Sequence, residues 1–262
     1  MSTTLSTTLG QIGDLARRSI TRTLRQPSYV IPPLIFPTLL VAVNAAGLRP
    51  STALEGFPTN SFLAFAIAVP FIQGALFSTM NAGTDLARDI QTGFLNRLAL
   101  TPMRGSALLV GHLAGVMVLG AIQACFYLAF ALSVGVRLET GVGGAVVILI
   151  LASLIAASFG MLGAFLALRT GSGEAIQATF PFLFVFLFIS SMNTPRNLIR
   201  IDWFRDAATA NPVSYLIEGV RSLIITGWDG QALGLAFSIT MAIGLVSVGL
   251  ASWALGQRMA RT

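Results

Sequence analysis

The sequence of 262 residues contains no lysine, one histidine (His112) and one cysteine (Cys125). Each shortage excludes a chemistry. A Walker A loop needs its lysine at the phosphates, so the chain carries none. A Schiff-base lysine is excluded as well. Metal sites of the histidine/cysteine type need three or four ligands, more than this chain supplies. A disulfide within the chain is impossible. Charge is also scarce: 10% of residues are charged and 55% hydrophobic, against about 25% charged in soluble domains. With a mean hydropathy of +0.80, this excludes an ordinary cytosolic enzyme. It also excludes a disordered or nucleic-acid-binding chain despite the pI of about 11.0, because such chains are rich in charge.

What is abundant is uncharged sequence. A transmembrane helix needs about 20 apolar residues. Six runs reach that length and predict spans at 27–48, 60–82, 107–136, 142–168, 175–194 and 231–256. The leading 25 residues are polar, with Arg17, Arg18, Arg22 and Arg25. A secretory signal would place its apolar region earlier, so the first run is expected to be retained. Six spans put both termini on one side. With that side inside, ten of sixteen arginines lie inside, and each outer segment balances its arginines with acids (Arg49 with Glu55, Arg137 with Glu139). This agrees with the positive-inside rule.

Local patterns refine the picture. Leu9, Ile12, Ala16, Ile20 and Leu24 repeat at helical spacing, with arginines on the other face. Residues 5–25 therefore read as an amphipathic helix on the inner membrane surface. Pro32, Pro33 and Pro37 predict a kinked or late-starting first span. The inner loop 83–106 carries an apolar set at Leu86, Ile90, Phe94, Leu95 and Leu98. Such a face must be covered by the bilayer or a partner protein. In the outer loop 195–230, Leu216, Ile217, Val220, Leu223 and Ile224 form a helical stripe too short to span, which reads as a re-entrant or surface-lying helix. Glu218 and Arg221 stand three apart, a spacing that allows pairing. Gly111 and Gly115 form a small-xxx-small pair suited to close helix packing. His112 reads as a hydrogen-bonded structural residue and Cys125 as a small buried hydrophobe.

One enzyme pattern stands beside these. Asn81, Asp85 and Asp89 are spaced by four, and Asp202 and Asp206 repeat the spacing. Paired Asp-x-x-x-Asp motifs resemble the magnesium-diphosphate sites of intramembrane prenyltransferases. The six-span topology puts the two motifs on opposite faces. A secondary transporter is a third class, but it usually needs an ionisable residue within a span, and His112 is the one candidate.

Two segments resemble ABC-2 type permeases. In the loop after the second span, an acidic/basic stretch leads into Thr92, Gly93, Phe94, Leu95, Asn96, Arg97 and Leu98, followed by Thr101, Pro102 and Arg104. Before the last span, Asn211, Pro212, Tyr215, Glu218 and Arg221 resemble the family's Asn-Pro-x-x-Tyr-x-x-Glu-x-x-Arg signature. The resemblance covers the whole chain, 1–262, as a single transmembrane domain. It is nearest to the membrane subunits of daunorubicin-type drug exporters. It implies an all-α membrane protein with six transmembrane helices and a cytosolic coupling helix between spans 2 and 3. That helix would dock in the ATPase through Asp85, Arg88, Asp89, Thr92, Gly93, Phe94, Leu95, Arg97 and Leu98. Two separate ATPase subunits would supply ATP and magnesium, this chain carrying no cofactor of its own. A second copy or a sister permease would complete the pathway across a bacterial cytoplasmic membrane, with both termini cytosolic. Few polar residues lie in the spans, which points to a hydrophobic or amphipathic cargo. Phe180, Phe182, Phe184, Phe186 and Phe188 are candidates for a substrate wall or for lipid contact.

Overall fold

The computed structural model describes residues 2–99 and 105–259, and among these every regular element is helical. In chain order the helices are α1 (Ser2–Leu24), α2 (Pro27–Gly47), α3 (Phe62–Ala66), α4 (Val69–Gln91), α5 (Phe94–Ala99), α6 (Gly105–Ser133), α7 (Gly141–Thr170), α8 (Gly173–Phe188), α9 (Asp202–Ala210), α10 (Pro212–Arg221) and α11 (Gly230–Met259). Short 3-10 turns lie at Arg49–Ala53 and Arg196–Leu198, and a π-helical turn follows α10 at Ser222–Thr226.

Five of the six expected spans are helices long and apolar enough to cross a membrane: α2, α3 with α4, α6, α7 and α11. The run expected at 175–194 instead forms the 16-residue α8. At 1.5 Å per residue that is about 24 Å; α8 starts beside Thr84 and ends where the Phe186 and Ile189 carbonyls meet Asn211, so the run passes from one end of the bundle to the other as a short helix. Hydropathy continues to residue 194, but the helix stops at Phe188 because the chain turns there and buries Ser190, Ser191 and Met192.

The α3–α4 span is the axis of the bundle. Its most apolar stretch is 89% buried, against 17% for α2 and for α11 at the periphery. α4 packs on α7, α8, α2 and α6, while α7 also packs on α11 and α6. The α4–α7 crossing is backbone against backbone. A Cβ on Gly163 would run into the carbonyl of Thr79, and one on Gly83 would lie 2.8 Å from the Gly163 oxygen.

The prolines of α2 do not stop the helix, which runs through all three. Each removes an N–H and so frees the carbonyl four residues earlier. Two of those carbonyls have partners from neighbouring helices. Pro33 frees Tyr29 O, which accepts a hydrogen bond from Asn81 Nδ2 at 3.0 Å. Pro37 frees Pro33 O, which accepts one from the Tyr127 hydroxyl. Tyr127 is fully buried. Polar residues within these spans thus complete a neighbour's backbone, as an apolar solvent requires.

The amphipathic segment forms α1, and α1 packs against α6. The glycine pair receives it: a Cβ at Gly111 would overlap Leu15, and one at Gly115 would overlap Ser19. Ser19 also donates to the His112 carbonyl at 3.3 Å. The side chains of Leu9 and Ile12 lie outside the described residues. Cys125, expected to be buried, is exposed on α6.

Replacing Tyr127 with Phe is expected to destabilise the protein by about 1–3 kcal/mol, the cost of an orphaned buried acceptor. Adding Pro37→Ala should recover much of that loss, because residue 37 then donates to Pro33 O. Thermal denaturation in detergent measures both; a neutral Tyr127→Phe would disprove the pairing.

Candidate functional site

Two polar constellations sit at opposite ends of α3–α4. Phe65 marks one and Asp85 the other, twenty residues apart, or about 30 Å along a helix.

At the first end, α4 stays helical through Gln91, beyond the expected start of the inner loop at residue 83. Asp85 and Asp89 therefore lie one turn apart on one helical face. Arg18 and Arg22 lie one turn apart on α1. Arg18 makes a bidentate contact with Asp89, at 3.2 and 3.0 Å. Arg22 Nη1 donates to Asp89 at 2.8 Å, and its Nε stands 2.7 Å from Asp85 Oδ1. That last contact is ionic without hydrogen-bond alignment, since Asp85 Oδ1 has no aligned donor. Both acids are buried. Beside them, a His112 ring nitrogen pairs with the Ala82 carbonyl at 3.0 Å. Two cavities of about 20 Å³ flank the cluster, each with room for about one water.

The segment beyond turns sharply. The Thr92 hydroxyl donates to the Arg88 carbonyl at 2.9 Å, and Gly93 adopts φ +70°, a left-handed conformation that suits glycine. α5 follows. The Phe94 ring lies 3.9 Å from the guanidinium carbon of Arg18, a cation–π contact. Leu95 is buried with Leu86, Leu108, Leu109 and Leu168. The apolar set expected to await a partner is thus covered, at Leu86 and Leu95, by the chain itself. Asp85 and Asp89 face α1 rather than an open surface. Arg88 and Arg97 are exposed. The side chain of Leu98 and the stretch with Thr101, Pro102 and Arg104 lie outside the described residues.

The second end is built by the Asn-Pro signature. Asn211 caps α10, its side-chain oxygen accepting from Val213 N at 2.9 Å, with Pro212 at the first helical position. Its amide nitrogen reaches back to the Phe186 and Ile189 carbonyls, freed where α8 ends. Ser214 accepts from Ser191 N at 3.1 Å and donates to Ala208 O at 2.6 Å. Tyr215 donates to Thr209 O at 2.8 Å. Arg221 donates to Phe65 O, Ser191 O and Met192 O at 3.0, 3.0 and 3.1 Å. Its guanidinium also lies 3.5 Å over the Phe65 ring.

The expected Glu218–Arg221 pair does not form. Glu218 holds Arg196 instead, through contacts of 2.8 and 2.6 Å. Arg221 points into the bundle, where broken backbone needs donors. Burial works against the charge on Arg196, yet the Glu218 carboxylate outweighs it and holds the guanidinium pKa above its ordinary value. The Tyr215 ring lies 4.4 Å from the same guanidinium.

The candidate aromatic wall divides. Phe180 and Phe184 pack with Phe77, and Phe184 also meets Phe36. Phe182, Phe186 and Phe188 are exposed. The two Asp-x-x-x-Asp motifs fall at opposite ends. Asp85 and Asp89 close one end of α4, and Asp202 pairs with Arg205 at the other. They cannot share a magnesium ion.

Arg18 and Arg22 were not among the site residues expected from the sequence. The matching one-turn spacing of two arginines and two aspartates was the available signal. Tyr127 and Asn81 follow from the prolines opposite them.

A family model described as ABC-2 type transporter matches residues 10–225. The ycf38 protein of Porphyra purpurea, named as a transport permease, is 25% identical over 264 residues, covering 95% of this chain and 90% of that protein. The ycf38 protein of Cyanophora paradoxa, named likewise, is 26% identical over 212 residues, covering 80% and 72%.

Asp89→Asn should loosen α1, costing about 2 kcal/mol, between exposed and buried ion pairs. A cysteine at Ser19, in a chain with Cys125 replaced by Ser, would then react with maleimide faster than in the parent. Unchanged labelling would show that Asp89 does not hold the helix.

Proposed function

The chain belongs to the ABC-2 type transporter family, and on that premise we propose that it is the membrane-spanning permease subunit of an ATP-binding cassette exporter. It is a multi-pass transport permease rather than an enzyme. Two ATPase subunits bind at the end carrying α5 and hydrolyse ATP with magnesium. A second copy, or a homologous sister permease, faces it across the pathway. The cargo is a hydrophobic or amphipathic compound moved outward across a bacterial cytoplasmic membrane, both termini being cytosolic. The family match over residues 10–225 carries this reading.

The geometry supplies a route for coupling. α5 projects from the end of α4, and its exposed Arg97, with Arg88 and Thr92, offers contacts that set docking register more than affinity. Leu95 roots the segment in the bundle, Gly93 gives the turn, and Phe94 stacks against Arg18. A push from the closing ATPase pair therefore reaches α4 and α1 together. α4 carries it to the far end, where Phe65 is tied to Arg221. ATP bound at the ATPase interface supplies the differential affinity that shifts inward- to outward-facing populations. The segment α9–α10 acts as the outer re-entrant element, tied to the end of α8 by Asn211 and Arg221. Phe36, Phe77, Phe180 and Phe184 form the aromatic wall on the pathway side, and Phe182, Phe186 and Phe188 face lipid or the second copy.

The wild-type chain, tagged and expressed with its ATPase, should copurify with it. Reversing Arg88 and Arg97 to Glu should lower recovery about ten-fold, the effect of roughly 1.4 kcal/mol, while insertion is unaffected. An intact complex would place the coupling surface elsewhere. In Cys125→Ser background, a cysteine at Thr92 should label from the cytosol and one at Asn197 from outside. Labelling of both from one face would overturn the topology.

A further inference from the structure

A cavity between α9, α10 and the Arg196–Leu198 turn shares Arg221 with the scheme above but has no role in it. Its volume is about 500 Å³, within the roughly 300–1,000 Å³ of small-ligand sites. The residues that line it include three arginines, Arg196, Arg205 and Arg221, and one acid, Glu218. Glu218 is fully engaged by Arg196. Arg205 pairs with Asp202, whose side chain is 81% exposed, so water screens that contact. Arg221 is 5% exposed. It gives three hydrogen bonds to carbonyls, out of the five N–H bonds a guanidinium has. Among the described residues, no carboxylate lies within ion-pairing distance of it. Carbonyls meet three of its donors and the Phe65 ring meets its face, none of them a full negative charge.

We infer that this cavity binds a phosphate group, carried by a lipid headgroup or free in solution, between Arg221 and Arg205. A tetrahedral oxyanion presents several acceptors to guanidinium forks approaching from different sides, and charge assistance strengthens each bond. The position suits a headgroup. Trp203, two residues from Arg205, is 67% exposed, and Trp228 is 61% exposed. Tryptophan is enriched at the level of lipid headgroups. The exposed Thr209 sits in the cavity wall.

The test uses the full chain in nanodiscs of equal parts phosphatidylglycerol and uncharged monogalactosyl diacylglycerol, with retained lipid read by native mass spectrometry. Two variants probe the wall without touching the Asn-Pro signature: Arg205→Gln removes one fork, and Thr209→Asp adds a repelling carboxylate. A headgroup ligand predicts preferential retention of phosphatidylglycerol by the parent, reduced about ten-fold in each variant, the scale of one lost charge-assisted bond. Free phosphate as the source predicts no lipid preference. Inorganic phosphate then raises the melting temperature of the parent in detergent but not that of Thr209→Asp. The proposal is overturned if the parent shows neither preference nor shift, or if both variants match it in both assays.

Discussion

Backbone that leaves regular helical geometry in an apolar layer must find a partner for every carbonyl it frees. This chain frees several. The prolines of α2 release Tyr29 O and Pro33 O, and the early end of α8 releases the carbonyls of Phe186, Ile189, Ser191 and Met192. Asn81, Tyr127, Asn211 and Arg221 each donate to one or more of them. The placing of these four side chains is explained by that demand. They are backbone partners supplied from neighbouring helices.

The same demand gives the Asn-Pro signature a physical role. It starts a helix, ties that helix to the stump of α8 and pins both to Phe65 at the head of the central span. The opposite end is held differently, by charge. Two aspartates one turn apart on α4 meet two arginines one turn apart on α1, and the short α5 stacks on one of them, Arg18. α4 joins these two fastenings. Because it is the most buried element of the bundle, it can move little without disturbing both.

Much of this was legible in the sequence, for reasons that also mark the limit. Length without charge located five spans, because burial in lipid acts on composition alone. The amphipathic repeat located α1, and the glycine pair announced a close contact without naming α1 as its partner. The sixth run gave its helix too long an extent, because hydropathy measures where apolar residues are, not where the chain turns. Ser190, Ser191 and Met192 are buried, but they are not helical. Glu218 and Arg221 misled because a three-residue spacing permits a pair, while Arg196, twenty-two residues earlier, competes for the glutamate. The acids of α4 looked like a surface because their partners lie 67 and 71 residues away.

Those separations also set a schedule. α1 is made before anything it binds. Its partners on α4 and α6 leave the ribosome some 70 to 100 residues later, which at about 5–20 residues per second is on the order of 4–20 seconds. Through that interval its arginines have no aspartates and its small-residue groove does not exist. The membrane surface is the one apolar support then within reach of its hydrophobic face. The first helix to be made must thus wait for α4 and α6 before it can take its final place.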